Sequence, residues 1–222
     1  MKPISWNPPG GGPELALGCD RGRALRLLIV PALFDEANKL RRFTVEIMRR
    51  LDAAGIDCFL PDLPGTNESL AALEDQTPED WREAMTAAAA HFAVTHCLTL
   101  RGGALVAPEG IPGWLYAPVK GATILRQLLR ARILTSREAG REETQEGLAA
   151  LGEREGLELS GYRLSAAFLD QFVSLQPPVA PGISEIDQDM LGGPGLWLRA
   201  EPDEDRGQAD TLAAVVSIGI KA

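Results

Sequence analysis

The sequence is poor in the residues that most often carry acid–base and metal chemistry. It has two histidines in 222 residues, His91 and His96, and three cysteines, Cys19, Cys58 and Cys97, with no C-x-x-C spacing. An odd, scattered set of thiols argues against a disulfide framework and a zinc knuckle, and predicts a reduced, cytoplasmic setting with no metal or other cofactor. Basic residues are also short: 22 Lys plus Arg against 31 Asp plus Glu leave a net charge of −9. A field of that sign repels polyanions, which argues against nucleic acid and anionic membrane surfaces as partners. Long apolar runs are missing too. No segment approaches the ~18 residues of a membrane span, and the start, Met1-Lys2-Pro3-Ile4-Ser5-Trp6, has no signal-peptide core. The expectation is a protein neither inserted nor exported.

What is present is enough apolar material, 45% of residues, for one large domain with its own core. Asn7 to Pro13 holds three prolines and three glycines, which support no regular element. Residues 1–13 are therefore read as a flexible arm before a single domain, 14–222. From Ala24 to Val30 runs a Leu/Ile/Val-rich strand, closed by Pro31. Leu40, Phe43, Ile47, Leu51 and Ala54 then recur at helical spacing, with Arg42, Glu46 and Arg50 on another face and Gly55 as the stop. Ile56–Leu60 reads as a second strand, ended by Pro61-Asp62-Leu63-Pro64-Gly65. Thr77-Pro78-Glu79-Asp80 starts a helix, with Thr as cap and acids in its positive first turn. Cys97–Leu100 is a third strand, followed by the small residues Gly102 to Ala107.

Strand and helix thus alternate, which predicts an α/β fold: a mainly parallel sheet with helices on both faces. The second half is less regular. It offers a strand at Trp114–Ala117, a helix over 122–134, a cap-like or irregular acidic insertion at about 136–158, and a helix over Ser165–Leu175. A final strand at Gly195–Arg199 and a helix over Asp205–Val216 close the chain.

The order of these elements, with Pro61-Asp62-Leu63-Pro64-Gly65 after one strand and Arg101-Gly102-Gly103-Ala104-Leu105 after the next, resembles the first half of an α/β-hydrolase. A narrower resemblance runs through Pro31-Ala32-Leu33-Phe34-Asp35-Glu36-Ala37-Asn38-Lys39-Leu40-Arg41-Arg42, Asp80-Trp81, Pro118-Val119-Lys120-Gly121 and Leu157 to Leu164. Those segments are similar to the second type of hydrolase-like protein associated with exosortase A systems, encoded beside bacterial exopolysaccharide and protein-sorting genes. The resemblance implies a three-layer α/β-hydrolase-like sandwich with a reduced cap. It also implies a nucleophile elbow, G-x-S-x-G, where this chain places Arg101 or, one register away, Leu100. Neither attacks a carbonyl, and the elbow's first glycine is replaced by Thr99 or Leu98. In hydrolases of this fold the catalytic histidine follows the last strand, yet no histidine follows His96. The loop where it would fall, Gly193 to Leu198, has none.

Substitutes fare poorly. His96 and Cys97 are neighbours in a strand and point to opposite faces, and Cys58 and Cys97 read as small buried hydrophobes. The expectation is no catalytic residue and no metal site. The candidate ligand crevice lies where strand ends converge: Asp35, Glu36 and Asn38 after the first central strand, Asp62 after the second, Arg101 and Gly102 after the third. Arg101 there either meets a small anionic ligand or is held by Asp35, Glu36 or Asp62 in a structural ion pair, the reading favoured here. The function expected is a non-catalytic accessory or binding protein with an anionic ligand or a protein partner. The alternative is a divergent hydrolase or acyltransferase using carboxylates such as Glu36 and Asp62 on an acyl or saccharide substrate. A third reading is an interaction subunit whose old crevice is filled by side chains.

Overall fold

The computed structural model describes all 222 residues. It opens with a hairpin: β1 (Lys2–Trp6) runs antiparallel to β2 (Glu14–Cys19), from Lys2 opposite Gly18 to Trp6 opposite Glu14. This corrects the reading of residues 1–13 as a flexible arm. Only Asn7–Pro13 is a connection; Ile4 and Trp6 share the inward face of an edge strand, and Trp6 is buried. Pro3 is tolerated because an edge strand need not donate on its open side.

The expected alternation follows: β3 (Arg26–Val30), α1 (Asp35–Ala53), β4 (Asp57–Pro61), α2 (Pro78–His91), β5 (His96–Leu100), a 3-10 turn at Arg101–Val106, β6 (Gly113–Tyr116) and α3 (Gly121–Glu138). The next stretch holds α4 (Gln145–Glu155), a two-stranded hairpin of β7 (Leu157–Leu159) and β8 (Tyr162–Leu164), α5 (Ala166–Ser174), β9 (Ile183–Ile186), α6 (Gln188–Leu191) and α7 (Arg206–Gly219). The main sheet has seven strands in the order β1-β2-β4-β3-β5-β6-β9, parallel from β4 to β9.

The period of two along β3 divides the core. Leu28 and Val30 join the cluster under α2, α3 and α5, while Leu27 and Ile29 join the one under α1 and α7. Helices therefore cover both faces of a three-layer sandwich. In α1 the residues at helical spacing, Leu40, Phe43, Ile47 and Leu51, are all buried. Thr77 and Asp80 complete a reciprocal capping box at the start of α2. No helix is long and apolar enough to cross a membrane.

The last strand is not where the apolar run pointed. Gly195–Arg199 contains a 3-10 turn at Leu196–Leu198, and Ile183–Ile186 pairs with β6 instead. That edge strand buries only Ile186 and so has no hydrophobic signature.

Candidate functional site

The carboxyl ends of the parallel strands carry the candidate residues. The sharpest turn on this edge is at Arg101: Leu100 is extended at φ −109°, and Arg101 itself lies at φ 53° before the chain enters the 3-10 turn. A positive φ at a residue with a long side chain is uncommon and is held by surrounding packing. Two glycines make that packing feasible. A Cβ on Gly103 would lie 2.3 Å from the Pro31 carbonyl oxygen, and one on Gly102 would lie 2.7 Å from the Ile124 side chain. Gly102 is thus a packing residue rather than an open wall of a crevice.

Arg101 is 9% exposed, and each of its three guanidinium nitrogens donates a hydrogen bond. Its Nε and Nη2 donate to Oε2 and Oε1 of Glu36, both at 3.0 Å, and Nη1 donates to the Ala117 carbonyl at 2.8 Å. The fork-to-fork pairing is the strong, directional form of an arginine–carboxylate bond. Glu36 stands in the first turn of α1, where the helix's positive end favours its charge. Trp197 closes the remaining side, its ring 3.9 Å from the guanidinium carbon. Of the three carboxylates considered as partners, Glu36 alone reaches Arg101. Asp35 pairs with Lys39 at 2.8 Å. Asp62, 2% exposed, accepts from Asn67 Nδ2 at 2.9 Å and from Arg41 at 3.3 Å. The ends converge on one edge, but as separate pairs.

Two partners of Arg101 were not read from the sequence. Ala117 contributes a backbone carbonyl, which residue type does not reveal. Trp197 sits in the loop Gly193–Leu198, and its indole face covers the Arg101 guanidinium. Tyr116, packed edge-on against Trp197, hydrogen-bonds Gln188, and burial pushes its phenol up against a smaller opposing effect of the Arg101 charge.

Beside this plug lies a cavity of about 270 Å³ whose walls include Phe34, Asn38, Thr66, Asn67, Trp81 and Tyr162. Phe34, at φ 56°, places its ring 5.2 Å from Tyr162 and 6.0 Å from Trp81. Asn38 is the one predicted crevice residue that lines it; Asp62 supports it indirectly by fixing the Asn67 amide. No charged side chain lines it. Burial, and secondarily the Asp35 charge, raises the Tyr162 phenol, which keeps it a neutral hydroxyl.

The histidines lie elsewhere. His96 begins β5 and stacks on Trp114, and His91 packs on Phe92. Cys97 is buried and its thiol is pushed up to about 12 by desolvation, so it holds no thiolate at neutral pH. No three His, Cys, Asp or Glu side chains converge at metal-ligand spacing.

No protein-family model matches the chain, and no curated protein matches it. Solved structures do. Mouse alpha/beta hydrolase domain-containing protein 10 superposes with TM-score 0.60 over 100% of this chain and 99% of its own, at 11% identity. Est1E from Butyrivibrio proteoclasticus, with ferulic acid bound, gives TM-score 0.55 over 98% and 96%, at 12% identity. The alpha/beta hydrolase GrgF from Penicillium sp. sh18 gives 0.51 over 78% and 72%, at 18% identity. Five further solved structures are matched over 62–70% of this chain and only 53–61% of their own length. The chain has the α/β-hydrolase fold.

Proposed function

We propose that this chain is a non-catalytic accessory or binding protein built on the hydrolase fold, serving a bacterial exopolysaccharide or exosortase-associated system. The observation that carries the reading is Arg101. It stands in a turn at positive φ after β5, the position that the sequence resemblance gives to a hydrolase's serine, and it is tied down by Glu36, Ala117 and Trp197. A guanidinium is no nucleophile, and one with these donors engaged has little left to stabilise an oxyanion. The association with exosortase systems rests on the sequence motifs from Pro31 to Arg42, around Asp62 and around Arg101.

The carboxylate-based hydrolase is the weaker reading, because Glu36 and Asp62 are each committed to an arginine. A ligand on this edge would enter the cavity beside Phe34. With no charged group in its walls, that cavity suits an uncharged ligand better than the anion first expected. The test is turnover of short-chain p-nitrophenyl esters by the purified protein. The expected rate equals that of buffer and is unchanged in Arg101→Ala. Robust hydrolysis that disappears in Arg101→Ala or Asp62→Asn would overturn the proposal.

A further inference from the structure

A hollow of about 450 Å³ lies where α3, α4, α5 and β7 meet. It is separate from the cavity beside Phe34, with which it shares no wall residue. Helix α5 stands between the two. Phe168 and Phe172 pack edge-on against Phe34, at 6.1 and 5.7 Å, while Ala166, Leu169 and Val173 on its other side line the hollow. A space of this size between helices falls in the range of small-molecule sites, whereas protein interiors are otherwise closely packed.

The walls define the kind of ligand. Leu125, Leu129, Leu157, Leu159 and Leu169 supply aliphatic surface, and no aromatic ring is among the lining residues. Val173 leaves 48% of its surface to solvent at this site. The volume is roughly fifteen times the ~30 Å³ share of one water, which gives room for one aliphatic chain but not for two. Charge of both signs accompanies this apolar surface. Arg126, Glu153 and Asp170 line the hollow, all three are exposed, and none makes an ion pair or a side-chain hydrogen bond within the protein. Arg132, farther along α3, is by contrast tied to Glu143 at 2.6 Å. A purely anionic head would meet Arg126 but also two carboxylates, and a purely cationic one would meet the reverse. A head that carries both charges satisfies all three groups.

We propose that this hollow binds a single-chain zwitterionic amphiphile of the lysophospholipid type. Its aliphatic chain lies along the leucines, its phosphate meets Arg126, and its ammonium group meets Glu153 and Asp170.

Isothermal titration of the full chain with dodecylphosphocholine, below its micelle-forming concentration, tests this. Saturable binding at one site is expected, with decylphosphocholine about fifteenfold weaker for the loss of two buried methylenes. Glycerophosphocholine, the head without the chain, should be silent. Ala149 is an exposed wall residue on α4, and Ala149→Phe should fill the hollow and weaken binding by about tenfold or more. If that variant loses its circular dichroism signal, Val173→Asp replaces it with the same expectation. Arg126→Gln, and Glu153→Gln together with Asp170→Asn, should each weaken binding severalfold, the scale of exposed ion pairs. Phosphatidylcholine vesicles form the second arm, and the protein should not sediment with them. Binding to vesicles without binding of the monomer, equal affinity in the folded variants, or no binding of dodecylphosphocholine overturns the proposal. So does a dimer that Ala149→Phe dissociates, which would assign the hollow to a second copy of the chain.

Discussion

Glu36 and Arg101 are 65 positions apart in the chain, yet they meet fork to fork through two 3.0 Å hydrogen bonds at the carboxyl edge of the sheet. The pair is largely out of water, with side chains 16% and 11% exposed. Its two halves have different origins. Glu36 is the kind of acid a helix start favours, whereas Arg101 stands in a turn at φ 53°, held there by its surroundings.

Breaking the pair from one side should hurt more than removing it. Glu36→Ala leaves a buried guanidinium with no counter-charge and is expected to cost about 3 kcal/mol in urea denaturation. The double variant Glu36→Ala with Arg101→Met should recover most of that loss. Additive losses in the cycle would mean that the two residues act independently.

Trp197 is expected to control access to Arg101. Trp197→Ala should lower stability by about 1–2 kcal/mol through the lost cation–π contact and ring packing. It should also speed modification of Arg101 by phenylglyoxal, mapped by mass spectrometry. Unchanged reactivity at Arg101 would refute a covering role.

Gly103 should tolerate no side chain. Its hypothetical Cβ would sit 2.3 Å from one backbone oxygen and 2.8 Å from another, neither of which is a flexible group. Gly103→Ala is expected to destabilise by more than about 3 kcal/mol or to give insoluble protein, beyond ordinary overpacking. Circular dichroism and solubility of the variant check this.

The thiols should be silent in the native protein. Cys19, Cys58 and Cys97 are buried, and desolvation raises all three. Ellman's reagent at pH 8 should label none until denaturant is added, then three. Fast labelling of Cys97 under native conditions would contradict its burial.

The pH profile should report Glu14. Its folded pKa lies above the ordinary value of 4.5, so the native state holds this proton more tightly than the unfolded chain does. That contribution to stability is complete below the unfolded value and declines as pH rises through the folded one. Glu14→Gln should therefore be more stable than the parent at neutral pH and show a flatter decline above pH 4.5 in thermal melts. A steeper decline in the variant would reverse the sign of this argument.

Local signal in the sequence was enough to define the first helices. The spacing from Leu40 to Leu51 places α1, and Thr77-Pro78 starts α2 at the expected cap. It failed at the sheet's edges. Lys2–Trp6 and Ile183–Ile186 bury one residue each, so neither shows a hydrophobic alternation and each is defined by the strand it pairs with, β2 next in the chain and β6 far from it. The Gly-Leu-Trp-Leu run near the end imitates a strand but packs as a turn over Arg101. Glu14 was legible in principle: it shares its inward phase with Ala16, though an acid at the head of an alternating pattern is easily read as polar outside.

By itself, then, the sequence determined the alternating α/β plan, the parallel core strands, an arginine after the third of them and no histidine beyond His96. Those follow from hydrophobic period, turn chemistry and residue identity, which act over a few positions. Tertiary structure alone decided that Glu36, not Asp35 or Asp62, holds Arg101, that Trp197 seals it, and that Glu14 is buried with one carboxylate oxygen unpaired. Such choices depend on where distant segments meet in three dimensions, and an ion pair or an orphaned oxygen exists only once the chain has brought its surroundings together.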